Sequence, residues 1–250
     1  MIRIAGIAAS QGARRTRSGY TFSPAESAGI LPLNAIWVSQ QGVTTVLGEV
    51  DIWVSYLGGI ACTINAPAAT NRLAYNATGG VGGRPLLTSD GADNVLEGLI
   101  TKGSNWADYE IGVVGNRVAF GAATDIVLGY FIGATPYFYL NDASTTAIRY
   151  TLNAGANTTH TEAPDGLDRH WSGDASGTTQ NSRINGAVVA TATTTVTSRA
   201  DGNTVSLGAR PAGTSAGNFN YQAAYVGPSL DTTQRNYLRQ LLEFYTGIPS

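Results

Sequence analysis

Lysine is almost missing from this chain: Lys102 is the only one among 15 basic residues, and charged residues make up just 13% of the 250. At a net charge of −2 there is no broad positive field to hold nucleic acid or an anionic membrane. Cys62 is the only cysteine, which excludes an internal disulfide and any thiolate metal cluster. His160 and His170, the only histidines, are too few for a multi-histidine zinc site. No apolar run approaches the roughly 20 residues that cross a bilayer as a helix. The stretch from Met1 to Ala9 is too short for the apolar core of an export signal. These absences lead to the expectation of a protein made in the cytoplasm, with no membrane insertion, no nucleic-acid partner and no cofactor.

What is present reads as β structure. Hydrophobic residues reach 43%, which argues against disorder, and 31 glycines supply turns. Short β-branched and aromatic runs follow one another: Ala35–Val38, Thr44–Leu47, Val50–Tyr56, Glu110–Val114, Arg117–Phe120, Ile126–Ile132 and Tyr137–Leu140. Ile148–Leu152, Ala187–Ala190, Thr194–Val196, Thr204–Leu207 and Tyr221–Val226 continue the series, with Gly, Asn, Asp or Pro between most of them. That cadence predicts an all-β fold, a two-sheet antiparallel jelly-roll sandwich. One helix is expected, at the C-terminus. Asp231 and Gln234 form a capping box, Tyr237, Leu238, Leu241, Leu242 and Tyr245 share a stripe, and Gly247 supplies a stop.

Residues 1–33 differ from the rest and read as an N-terminal arm ahead of a 34–250 domain. Arg14, Arg15 and Arg17 sit in a small, polar stretch without apolar period. Ile2, Ile4, Ile7, Tyr20, Phe22, Ile30 and Leu31 surround it and need something to pack on. The arm is therefore expected to anchor the domain to a second copy or a larger particle, with the arginine forks meeting neighbouring carboxylates. A solvated loop would explain the basic run equally well.

A family resemblance rests on the order of several motifs. Trp37, Gly42-Val43-Thr44, Val50-Asp51-Ile52-Trp53, Gly58-Gly59, Asn71-Arg72 and Gly83-Arg84-Pro85 lead to Asp90-Gly91-Ala92-Asp93-Asn94-Val95-Leu96. His170-Trp171, Ile184-Asn185-Gly186, Val205 to Arg210 and Leu230-Asp231 complete the series. From Asn34 to Ile248 this resembles the concanavalin A-like, laminin G-like domains of bacterial and phage proteins. The missing export signal and disulfides, the low lysine, the basic arm and the lone domain together favour, among such proteins, a structural protein of a tailed phage or phage-like particle: a head fibre, spike or tail-associated adhesin. Its expected location is the virion, its partners other virion proteins and further copies of itself (a trimer, as phage fibres and spikes usually are), and a host surface polysaccharide its possible target. Two other functions fit the same fold, a carbohydrate-binding module of a bacterial cell-surface system and a divergent glycan hydrolase.

The candidate site residues follow from chemistry. Tyr137 and Tyr139 share one strand face, and with Tyr130 and Trp106 they are the aromatics expected to stack on sugar rings. The same tyrosines could instead line the sheet or a subunit interface. Trp37, Trp53 and Trp171 are expected in the core. Asp90, Asp93 and Glu97 are the carboxylates that could reach calcium, although the loop lacks the dense spacing of a dedicated site. Some relatives of this fold are β-glucanases with a glutamate-x-aspartate-x-(x)-glutamate strand. Here Glu49 and Asp51 are followed by Trp53 and Val54 where the acid/base would stand, so no catalytic residue is expected. Gly79-Gly-Val-Gly-Gly83 has no accompanying P-loop lysine and reads as a loop. Removing the arm should leave the sandwich folded and abolish assembly. Sedimentation of the truncated and full chains checks this, and equal assembly would reduce the arm to a tail.

Overall fold

The computed structural model describes residues 33, 35–57, 59–100, 108–120, 125–132, 135–152, 156–161, 165–193, 203–214 and 216–249. Two antiparallel sheets pack face to face. The first runs from β15 (Ala187–Thr193) through β14 (Thr179–Ile184), β13 (Arg169–Ser176) and β8 (Tyr109–Ala119) to β17 (Asn218–Gly227). On its far side, β17 pairs with β1 (Ala35–Val38) through its second half and with β6 (Leu86–Thr88) through its first. Next to β6 lies β5 (Leu73–Asn76). The second sheet runs β4 (Gly59–Asn65), β7 (Leu96–Ile100), β16 (Asn203–Leu207), β9 (Ile126–Ile132), β10 (Thr135–Ser144), β11 (Ala147–Leu152), β12 (Ala156–Thr161). Consecutive strands β8 and β9, and again β16 and β17, lie in opposite sheets, which is the jelly-roll wrapping.

One strand joins the two sheets. β3 (Glu49–Ser55) pairs with β5 through Glu49 and Val50, then with β4 through Ile52 to Ser55, while β2 (Val43–Val46) covers its other edge. Register shifts at Thr44/Thr45 and Val54/Ser55 mark the bend. Both Val50 and Trp53 consequently reach the core. Simple alternation places Trp53 on the face of Glu49 and Asp51, and the bend overturns that.

Alternation along the remaining strands sorts the core. Tyr109, Ile111 and Val113 of β8 point inward with Trp37, Trp171, Phe219 and Tyr221, and they meet Leu128, Tyr130, Phe138, Leu140 and Tyr150 from the second sheet. Rings make the contact: Tyr130 stacks on Phe138 at 4.8 Å, and Trp171 meets the Phe219 edge at 5.1 Å. Two of the buried indoles find acceptors, Trp37 Nε1 donating to Cys62 O at 3.0 Å and Trp53 Nε1 to Val38 O at 3.2 Å, whereas Trp171 Nε1 meets none among the described residues.

The other face of the first sheet is covered by α1 (Thr232–Thr246). Asp231 accepts from the Gln234 N–H while the Gln234 side chain accepts from the Asp231 N–H, and Gly247 ends the helix at φ 74°. Leu238, Leu241, Leu242 and Tyr245 press on Ile36, Val38, Val114, Ala223 and Tyr225. Leu33 packs in the same layer, so a deletion that tests the arm stops at residue 32. Arm residues Arg14, Arg15, Arg17, Tyr20 and Phe22 lie outside the described residues, as does the run Thr194–Val196.

Two expected runs, Glu110–Val114 and Arg117–Phe120, are one strand, because Gly115 and Asn116 continue the pairing with β17. Leu47, expected to end a strand, instead sits in the β2–β3 turn at φ 55° with 98% of its surface exposed. Close sheet packing also depends on a glycine. A Cβ on Gly173 of β13 would overlap the ring of Tyr150 on the opposite sheet. Gly173→Ala should therefore lower stability by about 1–3 kcal/mol through overpacking. Urea unfolding measures it, and an unchanged midpoint would mean that the ring moves aside freely.

Candidate functional site

Helix α1 covers only part of the outer face of the first sheet. Beyond it, the register Ala74↔Thr88, Thr88↔Asn220 and Asn220↔Asn116 sets side chains of β5, β6, β17 and β8 side by side. Three of them join a hydrogen-bonded row that ends on Asp168, just before β13. Thr88 Oγ1 donates to Asn220 Oδ1 at 2.6 Å, Asn220 Nδ2 to Asn116 Oδ1 at 3.0 Å, and Asn116 Nδ2 to Asp168 Oδ1 at 2.9 Å. A carboxylate only accepts, so the donor direction of the whole row is fixed from that end. Each carboxamide still has one N–H and one oxygen lone pair to offer.

The Asp168 end of the row is held firmly. Arg169 grips Asp165 with two parallel bonds of 2.8 and 2.7 Å, and Leu167 N donates to the same carboxylate, which fixes the turn carrying Asp168. That grip holds the Asp165 carboxyl well below the usual carboxylate range. Gln222, at a bulge in β17, donates to Asp168 Oδ1 at 3.3 Å while its own Oε1 is buried without a partner. Gly80, from the glycine-rich loop, lies against Gln222 so closely that a Cβ would stand 2.8 Å from that oxygen. Exposed Val118, two residues along β8, and Leu167 flank the row with apolar surface.

Where α1 meets the first sheet the outer face is charged and buried. Glu110, 1% exposed, accepts from Leu230 N at 2.9 Å and from Arg235 Nη2 at 3.0 Å. Arg235 also reaches Asp174 at 3.5 Å, and Arg183 Nε donates to Asp174 at 2.7 Å. Burial pushes the Glu110 carboxyl up to about 7, against the pull of Arg235. His170 bonds Tyr225 through Nε2 at 2.9 Å, and burial, helped by Arg239, pushes it down to about 3. Burial also raises the Tyr225 hydroxyl well above its ordinary value, so it keeps its proton.

The expected site residues do not gather. Tyr130 pairs with Phe138 rather than with the outward tyrosines and is buried between the sheets, which removes it as a sugar platform. Tyr139 does point outward, half-buried, but on the second sheet and away from the row. Trp106 lies outside the described residues, and so does the side chain of Tyr137. Asp90, Asp93 and Glu97 do not converge: among the described residues no group of three or more acidic, His or Cys side chains is placed to hold a metal. Asp90 instead accepts from Ala92 N in its own turn. Asp51 is taken by Arg72, with bonds of 2.9 and 2.6 Å. Sequence reasoning missed Thr88, Asn116, Asp168 and Asn220. A signal existed in Asn218-Phe219-Asn220-Tyr221, where asparagine alternates with aromatics inside a strand that ordinarily avoids it.

Solved structures share this architecture. Trypanosoma rangeli sialidase superposes with a TM-score of 0.58 at 12% identity, over 84% of this chain and 32% of the sialidase. The receptor-binding domain of botulinum neurotoxin type G gives 0.57 at 9% identity, over 83% and 51%. The ligand-binding domain of serotype D, solved with N-acetylneuraminic acid, gives 0.57 at 7%, over 89% and 56%. The likeness is one of fold. This chain spans about a third of the sialidase and about half of each toxin domain. No known family profile matches the chain, and neither does any curated protein sequence.

Glu110 and His170 give stability opposite pH dependences. Between about 4.5 and 7 the folded chain keeps a Glu110 proton that the unfolded chain has lost, so stability falls as pH rises. Between about 3 and 6.5 the unfolded chain protonates the histidine and the folded chain does not, so stability rises with pH. The two oppose each other from 4.5 to 6.5. Across that window Glu110→Gln should become more stable as pH rises, and His170→Gln less stable, relative to a flatter parent. Urea midpoints at three pH values decide it, and parallel profiles for all three proteins would contradict these assignments.

Proposed function

We propose that this chain is a non-catalytic glycan-binding domain that reads sugar hydroxyls with the row Thr88, Asn220, Asn116 and Asp168. The observation that carries the reading is the fixed donor direction of that row, which leaves alternating N–H groups and lone pairs at a half-exposed surface. Neighbouring sugar hydroxyls both donate and accept, so they match such a row without a charged partner. Val118 and Leu167 offer apolar surface for the C–H face of a ring. The fold shared with a toxin domain solved with N-acetylneuraminic acid supports the reading. Against hydrolysis stands the carboxylate supply: Asp51 is committed to Arg72, and Trp53, which follows in the strand, points into the core.

Each hydrogen bond to a hydroxyl is worth about 1 kcal/mol net, so a single site is weak and repeated copies add avidity. We therefore set the domain on a phage or phage-like particle as a structural protein, fibre, spike or adhesin, in several copies anchored by the arm. The motif resemblance is the support for that setting.

A glycan array probed with the full chain tests the site. Asn116→Ala and Asn220→Ala should each weaken retention about tenfold, with melting temperature nearly unchanged because both side chains are half-exposed. Retention of no glycan, or unaltered retention by both variants, would refute the reading.

A further inference from the structure

Beside α1 lies a pocket of about 300 Å³ between the helix and the outer face of β8, β13 and β14. His170 and Ser172 form its floor side, Arg183 rises from β14, and Arg235, Asn236 and Arg239 come down from the helix. Its rim is the Asn185-Gly186 hairpin turn, with φ of 48° and 79°. Arg239 crosses that turn so closely that a Cβ on Gly186 would stand 3.2 Å from its Cδ. The glycine makes room for the guanidinium.

We infer that this pocket binds one acidic monosaccharide residue, with the sugar carboxylate held by Arg183 and Arg239. Arg183 spends its Nε on Asp174, and among the described residues its two Nη groups, on a side chain only 15% exposed, have no other partner at the pocket. A planar fork of that kind matches a carboxylate. His170 is 3% exposed, and its Nδ1 has no hydrogen-bond partner while Nε2 is taken by the Tyr225 hydroxyl. Tyr225 keeps its proton and can donate to Nε2, which leaves the proton of the neutral imidazole on the enclosed Nδ1 and the ring uncharged beside the arginines.

Size and charge narrow the class. A space of about 300 Å³ is at the small end of ligand sites and suits a single sugar ring better than a bare ion. Ser172, Thr232 and Asn236 supply uncharged partners for ring hydroxyls. The Asp174 carboxylate beside Arg183 opposes a second negative charge, so a monoanion is preferred to a phosphate dianion. The inference does not rest on the amide row, none of whose members lines the pocket.

Titrating the full chain with glucuronic acid, glucose and inorganic phosphate, followed by amide NMR shifts, tests it. Glucuronic acid should bind at least tenfold more tightly than either of the others and shift amides around His170 and Asn185. Arg239→Gln, at an exposed helix position, should weaken glucuronic acid about tenfold with at most a small fall in melting temperature. Arg183→Lys, which keeps the charge facing Asp174 and loses the fork, should do the same. Asn116→Ala should leave glucuronic acid binding unchanged, which separates failure of this site from failure of the row. Equal binding of glucose and glucuronic acid, tighter binding of phosphate, or parental affinity in both arginine variants would overturn the assignment.

Discussion

The first sheet has two faces to cover, and the second sheet can cover only one. The other is left to a single 15-residue helix, and the carboxylate of Glu110 sits where helix and sheet meet. Isolated helices of this length are marginal, so α1 depends on its docking. Four buried side chains on its stripe contribute about 1.5–3 kcal/mol each. Glu110 adds direction to that non-directional attraction. It accepts from Leu230 N, just ahead of the cap, and from Arg235, one turn into the helix, so it sets where the helix starts and how it is rotated. Taking that carboxylate out of water costs energy, which its raised pKa records, and Arg235 offsets only part. The polar pair is better understood as fixing the helix in register than as a source of stability.

A second constraint acts at the opposite end of the sandwich. β3 serves both sheets, and a strand that changes partner midway cannot keep strict alternation. The consequence is chemical as well as geometric. Asp51, which a straight strand would align with its neighbours as a row of outward carboxylate and indole, is turned toward Arg72, while Trp53 goes inward to donate to Val38 O and Gln41 O. The bend that closes the sandwich thus removes the arrangement that made the segment resemble a hydrolase strand.

How much of this was legible in the sequence depends on how local each cause is. The helix was legible in full, because Asp231, Gln234 and Gly247 act within a turn of where they stand. So were the core tryptophans and the outward lean of Tyr139. Strands β13 and β14 were not, because His170, Ser172, Asp174, Gln180 and Ser182 give Arg169–Ser176 and Thr179–Ile184 the composition of loops. Those polar groups are buried by partners distant in sequence: Asp174 by Arg183 and Arg235, Gln180 by Tyr150 O, Ser182 by Thr158. Tyr130 was placed wrongly for a related reason. A register shift between Pro136 and Phe138 brings it opposite Phe138, and register is a property of two strands together. The amide row is the extreme case. Its members come from four separate segments, and nothing in any one of them announces the others.

Both candidate surfaces lie on the outer face of the first sheet, and they differ in how much of each is built by α1. The amide row belongs almost wholly to strands and the turn before β13, so its geometry survives local opening of the helix. The pocket is different, since half of its wall is the helix itself. A ligand there would bind only the docked state, and it would strengthen docking by RT ln(1 + [L]/Kd), about 2.7 kcal/mol at a hundredfold excess over Kd. Glu110 takes part in both events, lining the pocket and latching the helix. The energy spent on burying that carboxylate is then recovered in a face that tightens when it is occupied, while the row beside it stays ready whether or not the helix is engaged.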